Sequence, residues 1–328
     1  MAPTDGGEHT SVSPGDAFNI LGNETRIDIL KILSEADGPL SFTELRRRAG
    51  IKRGGEFNYH LEKLVGHFVE KMNDGYSLRT PGSRVVQAVL SGVVTDSPII
   101  EPTILDEQCY HCGASVLLTY TSHLSVHCTS CPANFELSQP DGVEHASLDV
   151  DSDGIGLLRG FELPPAGIQG RSGIELLRTG NAWANLERIA SRVDICPRCS
   201  AKIDASIQVC DTHEIDGGTC VECGNRYAVT HIHDCTNCNY SRRTQFGWIL
   251  LADTDLLNFL TSHGINPICP DSPMSMRGVL DKYDEEVIST DPFRGRFTFT
   301  VHGESITLTV DEDLAVVDVT REGSDVSG

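Results

Sequence analysis

The sequence predicts an α+β protein of more than one domain, and three observations predict it. Helical apolar periodicity followed by one hairpin signal occupies residues 14–93. Cys-X-X-Cys pairs recur between residues 108 and 240, which predicts modules of short β-hairpins. Apolar and polar residues alternate over 286–319, which predicts an antiparallel β meander near the C-terminal end. A chain of 328 residues is long enough for two or three domains.

Changes in composition set the expected boundaries. We expect a disordered tail at 1–13, the helical domain at 14–93, a linker at 94–107 that contains two prolines, a cysteine module at 108–140, and an effector or scaffold domain at 141–328 with a second cysteine-rich module at 194–240.

Two helices are predicted within the last of these domains. Residues 172–193 predict an amphipathic linking helix, and 253–264 a shorter helix that stops at Gly264. The expected apolar face of the linking helix comprises Ile174, Leu177, Trp183, Leu186, Ile189 and Val193.

Charge is distributed unevenly along the chain. The net charge is −21, yet residues 41–84 hold nine Lys or Arg against five Asp or Glu, whereas residues 96–328 hold 15 bases against 35 acids. Only the first of these segments is suited to phosphate. The acid-rich, lysine-poor composition is typical of a halophilic archaeon, whose salty cytoplasm screens the repulsion from the remaining charges.

The start of the chain is polar, and no stretch reaches 18 apolar residues, so neither a signal peptide nor a membrane span is expected. A cytoplasmic location follows. In that reducing compartment, closely paired cysteines indicate metal ligands rather than disulfides.

Three helical patterns lie within residues 16–65. The first covers Asp16–Ala36 and stops before Gly38-Pro39. The second starts at Ser41, with Glu44 completing a capping box, and ends at Gly50. The third covers about Arg53–Val65 and places Phe57, Leu61 and Leu64 on one face. Two short helices joined by a tight turn predict a helix-turn-helix, whose second helix enters the major groove of DNA.

A hairpin and one more helix follow. Asn73-Asp74-Gly75 between two apolar runs is a strong hairpin signal, and Pro81–Leu90 is helical in pattern. The hairpin would be the wing of a winged helix-turn-helix, with Lys71 and Arg79 near the phosphates. Asn58 suits adenine, and Arg53 suits guanine or phosphate.

These segments together (AFNILGNETRIDILKIL, LSFTELRRRAGI, EFNYHLEKLVGHFVEK and GYSLRTPG) resemble ArsR-type winged-helix regulators, in particular their haloarchaeal branch, over residues 16–92. The resemblance implies a homodimer formed through the first and last helices, and base contacts from Asn58, Tyr59 and His60. Metal-sensing members carry cysteines in the helix before the recognition helix, and Thr43–Gly50 has none. Arsenic or cadmium sensing of that kind is therefore not expected.

The candidate DNA-binding residues are Arg47, Arg48, Lys52, Arg53, Asn58, Tyr59, His60, Lys63, Lys71 and Arg79. Other interpretations stay open at several of them. Tyr59 would also cover apolar surface, His60 would also be a packed helix residue, and a run of arginines is often a solvated helix face.

The first cysteine module predicts a zinc ribbon. Cys109/Cys112 and Cys128/Cys131 are separated by 15 residues whose alternation predicts a hairpin, and four thiolates complete a tetrahedral structural zinc site with no open position.

The second module predicts two further zinc sites. Its ligands are the pairs Cys196/Cys199, Cys210/His213, Cys220/Cys223 and Cys235/Cys238. The simplest assignment is sequential, with the first two pairs on one zinc and the last two on another. An interleaved scheme, in which the first pair joins the third, is the alternative, and His231 and His233 compete with His213. Cys269 is unpaired and expected to be a small buried apolar residue.

The function expected from these features is sequence-specific DNA binding by a homodimeric transcription regulator. About three structural Zn²⁺ sites would lie in a region that serves as scaffold or binds a protein or small-molecule effector. No phosphate-binding loop, nucleophile elbow or HExxH motif is present, so an enzyme is not expected. The alternatives are a metal- or redox-responsive sensor that uses the thiolates, and a protein adaptor that does not bind DNA.

Overall fold

The computed structural model describes residues 12–120, 123–136, 155–268, 270 and 273–323. The chain forms two compact units. The smaller comprises residues up to Ser97 together with Pro164–Ala166, and the larger comprises Pro98–Leu163 and the chain from Gly167 on. The predictions for most of the tail at 1–13 and for Cys269 lie outside the described residues.

The smaller unit is built from helices and one hairpin. Its elements are α1 (Pro14–Leu21), α2 (Glu24–Ser34), α3 (Phe42–Arg48), α4 (Gly54–Leu64), β1 (Val69–Lys71), β2 (Tyr76–Leu78) and α5 (Thr80–Leu90). The helices surround one apolar core to which α2, α3, α4 and α5 each contribute buried side chains.

The first predicted helix, Asp16–Ala36, is wrong in one respect: it is two helices. The α1 helix ends where the Gly22 N–H donates to the Phe18 carbonyl, and Asn23 then adopts an extended conformation before α2. A glycine next to an asparagine favours such a break, since both residues are poor in helix interiors. Leu30 of α2 is fully buried, whereas Phe18 of α1 is 75% exposed, so the two helices do not bury one continuous apolar face.

The Ser41 hydroxyl caps α3 by accepting the Glu44 N–H at 3.2 Å. The other half of the predicted capping box is wrong, because the Glu44 carboxylate pairs with Arg47 and Arg48 instead of turning back to the cap. Gly50 takes a φ of +69° in the turn that follows, a left-handed conformation that glycine adopts without strain.

The face of α4 expected from periodicity is confirmed, since Phe57, Leu61 and Leu64 are buried. The hairpin is confirmed as well, with Val69 opposite Leu78 and Lys71 opposite Tyr76.

The larger unit begins with a five-stranded antiparallel sheet in the order β3-β4-β5-β7-β6. Its strands are β3 (Ile100–Gln108), β4 (Ser115–Tyr120), β5 (Leu124–Cys128), β6 (Phe135–Glu136) and β7 (Gly156–Phe161). The predicted hairpin between the first two cysteine pairs is β4–β5. The predicted linker at 94–107 is wrong from Ile100 on, because β3 pairs with β4 and makes that segment part of the sheet.

Helix α6 (Gly173–Arg192) follows and packs on β3 and β7. Ser172 and Glu175 form a capping box at its start. The predicted apolar face is wrong for most of its members: Trp183, Leu186, Ile189 and Val193 are 37–62% exposed.

The face of α6 that is buried is rich in small and polar residues. Gly180 faces the Phe161 ring so closely that a Cβ atom would lie 2.7 Å from it. Asn181 and Asn185 are buried with their amides hydrogen-bonded to Leu177, Arg277 and the carbonyls of Pro267 and Ile268. Satisfied amides lower the cost of burial, which apolar periodicity does not register.

A three-stranded antiparallel sheet in the order β12-β11-β8 comes next, with a two-stranded ribbon inserted in its loop. The strands are β8 (Ile203–Val209), β9 (Ile215–Asp216), β10 (Thr219–Cys220), β11 (Val229–Cys235) and β12 (Ser241–Gln245).

Three short helices then lead into the C-terminal sheet. They are α7 (Phe246–Ile249), α8 (Thr254–Ser262) and α9 (Pro273–Leu280), followed by β13 (Asp284–Thr290), β14 (Phe293–Val301), β15 (Glu304–Asp311) and β16 (Val316–Glu322). These strands pair in sequence order, so the antiparallel meander predicted at 286–319 is confirmed, and it has four strands. His302 and Gly303, between β14 and β15, both take positive φ, as a two-residue hairpin loop requires.

Candidate metal centres and candidate DNA-binding surface

The structure brings the paired cysteines and one histidine into three four-residue clusters, in each of which the ligand atoms lie within 4.8 Å of one another. The ribbon cluster comprises Cys109, Cys112, Cys128 and Cys131; the base cluster comprises Cys196, Cys199, Cys235 and Cys238; the tip cluster comprises Cys210, His213, Cys220 and Cys223.

The distances within the clusters fit a tetrahedral metal. Zn–S bonds of about 2.3 Å at tetrahedral angles place two sulfur atoms about 3.8 Å apart. The Sγ atoms of Cys109 and Cys131 are 3.9 Å apart, and those of Cys196 and Cys238 are 3.7 Å apart. All three clusters are therefore geometrically suited to a metal ion.

The local backbone explains how three of the Cys-X-X-Cys turns aim both sulfurs at one point. Gly113, Ser200 and Gly224, which directly follow the second cysteine of a pair, all take positive φ and reverse the chain. The Sγ of the first cysteine then accepts a backbone N–H two residues on, at 3.4 Å in Cys109 and Cys196. Such donors stabilise negative charge on sulfur.

Hydrogen bonds act in the same way on the exposed thiol of Cys199 and on the buried thiol of Cys220. Hydrogen bonds, first from the Ala201 backbone, lower the pKa of Cys199 to about 6. In the tip cluster the backbone N–H of Cys223 is the largest of several causes that lower the pKa of Cys220 to about 7. Thiolates are the form that binds metal, so these hydrogen bonds favour ligation by Cys199 and Cys220.

The ribbon cluster is held by one sheet. Val116 of β4 lies opposite Cys128 of β5, and the Cys109 N–H donates to the Ala114 carbonyl where the chain turns from β3 into β4. The predicted four ligands of this cluster are confirmed as one group.

The sequential assignment of the second module is wrong: the outer pairs share the base cluster and the inner pairs share the tip cluster. The reason is the β8–β11 hairpin, in which Ile203 lies opposite Cys235 and Val209 opposite Val229. A seven-residue strand spans about 23 Å, so it places the pairs that flank its two ends in different clusters. The alternation Ile203, Ala205, Ile207, Val209 was the sequence signal for this strand.

His213 belongs to the tip cluster, with its Nδ1 atom 3.7 Å from the Sγ of Cys223. Its Nε2 atom lies 3.2 Å from the Arg226 carbonyl, so Nε2–H donates there and Nδ1 keeps its lone pair for a metal. The competitors His231 and His233 are in none of the clusters of described residues. They are buried on β11 and hydrogen-bond to each other at 2.7 Å.

The predicted DNA-binding residues are spread over four places in the smaller unit. Arg47 and Arg48 end α3, Lys52 and Arg53 precede α4, and four more lie on α4. Lys71 ends β1 and Arg79 directly follows β2. Eight of the ten are exposed, and Asn58 and His60 are half-buried.

Several of these side chains already have intramolecular partners. Arg47 and Arg48 donate to Glu44, and these hydrogen bonds lower the pKa of Glu44 to about 2. The Asn58 amide donates to Glu62 at 2.7 Å, and Arg79 donates to the Gly66 carbonyl.

On α4, the Lys63 ammonium lies 5.8 Å from the centre of the Tyr59 ring, so these two side chains form one exposed patch. Lys71 lies at the turn end of the hairpin and Arg79 at its base, so the register separates these two charges.

Sequence reasoning missed one group altogether. Arg159, Arg188 and Arg277 meet around Trp248 in the larger unit. They come from β7, α6 and α9, and no local pattern joins residues so far apart. Their only trace in the sequence is the preference for arginine over lysine in an acidic region.

Comparison with known families finds two matches. A domain of unknown function (DUF7347) matches residues 14–89, and a second domain of unknown function (DUF7351) matches residues 106–316. No curated protein and no solved structure matches the chain. Among the described residues, no helix has the length and apolar character needed to span a bilayer.

Proposed function

We propose that this chain, which belongs to the family of the domain of unknown function DUF7351, is a DNA-binding transcription regulator that recognises a specific DNA sequence. In this proposal α3 and α4 form a helix-turn-helix, β1–β2 is the wing, and the clusters of the larger unit bind zinc.

The observation that carries the proposal is the exposed basic surface of α3 and α4 in a strongly acidic protein. The net charge is −21, yet 41–84 has an excess of four positive charges, and Arg47, Arg53 and Lys63 are all solvent-exposed. Lys and Arg contacts to phosphate supply most non-specific affinity for DNA.

The helix α4 has the features needed to enter a major groove. Its inner face is fixed to the core by Phe57, Leu61 and Leu64, and its outer face presents Tyr59 and Lys63. The Asn58 amide would exchange its bond to Glu62 for a base edge, since Asn forms two hydrogen bonds with adenine.

Exposed apolar residues support a homodimer formed through the first and last helices of the unit. Phe18 on α1 is 75% exposed and Leu90 at the end of α5 is 61% exposed. A second copy would cover them, and a two-fold dimer would place two α4 helices one DNA turn apart.

The three clusters are proposed as structural Zn²⁺ sites. Thiolate and imidazole ligands are those zinc prefers, and four protein ligands leave no position for a reacting water. Zinc would supply folding free energy to a unit whose strands β9, β10 and β6 are only two residues long.

The test is selection of bound duplexes from a random pool of DNA by the full-length protein, followed by fluorescence anisotropy against the selected duplex. We expect one enriched motif with two half-sites. Replacing Tyr59 with Ala should lower affinity for the selected duplex at least tenfold while leaving weak, salt-dependent binding to random DNA. The double variant Lys52→Gln, Arg53→Gln should instead weaken binding to the selected duplex and to random DNA alike. It should also reduce the slope of log affinity against log salt concentration by the equivalent of about two phosphate contacts.

Arg294→Gln is the matched control, because Arg294 is an exposed cation on β14, outside both the proposed DNA-binding surface and the helices proposed to form the dimer. It should leave affinity unchanged. No enriched motif and no salt-dependent binding would refute the proposal and favour the adaptor. A change in DNA affinity upon zinc removal from a protein that stays folded would favour the metal sensor.

A further inference from the structure

Trp248 lies at the centre of a group of arginines in the larger unit. Its ring centre is 3.9 Å from the guanidinium carbon of Arg188, 4.8 Å from that of Arg277 and 5.2 Å from that of Arg159. These residues come from the segment 96–328, which carries 35 acidic and 15 basic residues. A concentration of positive charge in this region runs against its composition and points to a function.

The charge of the group is only partly neutralised. Arg277 pairs with Asp281 at 3.3 Å and donates to the Asn181 side chain at 2.7 Å. Arg188 and Arg159, in contrast, form no ion pair with any carboxylate among the described residues. Burial, and then the neighbouring Arg159 and Arg277, lower the pKa of Arg188 well below its ordinary value.

Arg188 also has unused hydrogen-bond donors. Its Nη1 atom donates to Asn185, but its Nε and Nη2 atoms are shielded from solvent and have no partner in the described part of the chain. Buried donors without partners are rare and need an explanation.

Those two atoms form the parallel edge of the guanidinium that binds both oxygens of a carboxylate. The same protein shows the pairing at its surface, where the Nε and Nη2 atoms of Arg47 donate to the two oxygens of Glu44 at 2.8 and 2.7 Å. In Arg188 the corresponding edge is free.

A cavity of about 210 Å³ lies beside Arg188. Arg159, Arg188, Arg242 and Asn185 line it together with an apolar wall, which includes Ala184, Ile189, Ile249, Leu251, Leu257 and Ile268. A cavity of about 150 Å³ accommodates benzene, so this one has room for a ring with a carboxylate.

We propose that this cavity binds a small organic carboxylate, with its two oxygens on the Nε and Nη2 atoms of Arg188 and its apolar body against the Ile and Leu side chains. Arg159 also lines the cavity and adds positive charge to it. Arg242 and Glu187 line the cavity as well, and they are already paired with each other at 3.3 Å. The site lies wholly in the larger unit, so its test is independent of DNA binding.

The experiment uses full-length, metal-loaded protein and the fluorescence of Trp248. Trp183 is the other tryptophan of the chain and is replaced by Phe, so that Trp248 alone reports. The probes are benzoate, the neutral isostere benzamide, and inorganic phosphate. We expect saturable quenching by benzoate, at least tenfold weaker binding of benzamide, and no saturable response to phosphate.

Two variants test the role of Arg188. Arg188→Lys keeps the charge but loses the parallel edge, and should weaken benzoate at least tenfold. Arg188→Met should abolish benzoate binding and keep or raise the thermal midpoint without ligand, since an unpaired buried charge is removed. Arg294→Gln, an exposed arginine on β14, should bind benzoate like the parent.

Four results would overturn the proposal: no saturable benzoate binding by the folded parent, benzamide binding as tightly as benzoate, phosphate binding in place of benzoate, or unchanged benzoate affinity in Arg188→Lys. A large drop of the thermal midpoint in Arg188→Met without ligand would show that Arg188 serves packing on Trp248 instead.

Discussion

The pairing of the metal ligands at residues 196–238 makes a prediction that metal counting can decide. The wild-type chain should bind three zinc ions, one for each cluster. Cys196→Ser should leave two, because a three-ligand remnant of a structural site loses its metal to a chelator. A second substitution added to Cys196→Ser is informative, because the number of ions that the double variant binds depends on which cysteines share an ion.

Cys238 shares the base cluster with Cys196, so Cys196→Ser, Cys238→Ser should still bind two ions, the same as either single variant. Cys210 belongs to the tip cluster, and Cys196→Ser, Cys210→Ser should bind only one. The β8–β11 hairpin, whose strands span about 23 Å, separates the two clusters by well over the 7–10 Å within which substitutions interact directly. Unfolding free energies should therefore be additive for the second double variant and strongly non-additive for the first.

The assay is native mass spectrometry after equilibration with a chelator, with urea unfolding of the same samples. Cys196→Ser, Cys128→Ser is the control, because Cys128 lies in the ribbon cluster and this variant must bind one ion under any assignment within 196–238. Two ions in Cys196→Ser, Cys210→Ser and one in Cys196→Ser, Cys238→Ser would refute the nested pairing and restore the sequential one.

Two more predictions concern buried carboxylates of the larger unit. Asp281→Asn should destabilise the larger unit by about 3–5 kcal/mol, because Asp281 and Arg277 are each 1% exposed and the change leaves a buried guanidinium without its counter-charge. Urea unfolding followed by tryptophan fluorescence measures this loss. Burial raises the pKa of Glu285 to about 7, from 4.5. The protonated form is therefore favoured in the folded state, so the contribution of Glu285 to stability should fall by about 2 kcal/mol as pH rises from 4.5 to 7. Glu285→Gln should remove that part of the pH dependence, which thermal unfolding at a series of pH values measures.

A surface pair provides the control for both. Glu286 pairs with Arg296, and both side chains are largely exposed, at 62% and 45%. Glu286→Gln should cost less than about 1 kcal/mol and leave the pH dependence unchanged. A loss for Asp281→Asn no larger than that of the control, or parallel pH profiles for Glu285→Gln and wild type, would contradict the respective expectation.

Sequence patterns predicted those helices, hairpins and turns that are determined by residues close together in the sequence. The apolar spacing of Phe57, Leu61 and Leu64 gave the buried face of α4, and the Asp74-Gly75 pair gave the hairpin. The Cys-X-X-Cys turns were evident because their geometry is closed within four or five residues.

What depends on distant residues was not predictable in the same way. Which cysteine pairs meet is decided by the register of β8 on β11, a pairing of segments about 25 residues apart. The buried face of α6 follows the tertiary partners of Asn181 and Asn185 rather than hydropathy. The arginines around Trp248 converge only in the folded unit.

Along the sequence, the ligands of the tip cluster lie between the two cysteine pairs of the base cluster, and this nesting predicts an order of assembly. Six residues separate His213 from Cys220, whereas 35 separate Cys199 from Cys235. Closing the longer loop first would cost about 1.6 kcal/mol more in chain entropy, which is roughly a tenfold difference in probability. The ion of the tip cluster should therefore bind early and fix the turn between β8 and β11. Pairing of these two strands from that turn then brings the ligands of the base cluster together. A chain released with limiting zinc would then accumulate as a half-loaded intermediate with the tip cluster filled and the base cluster still open.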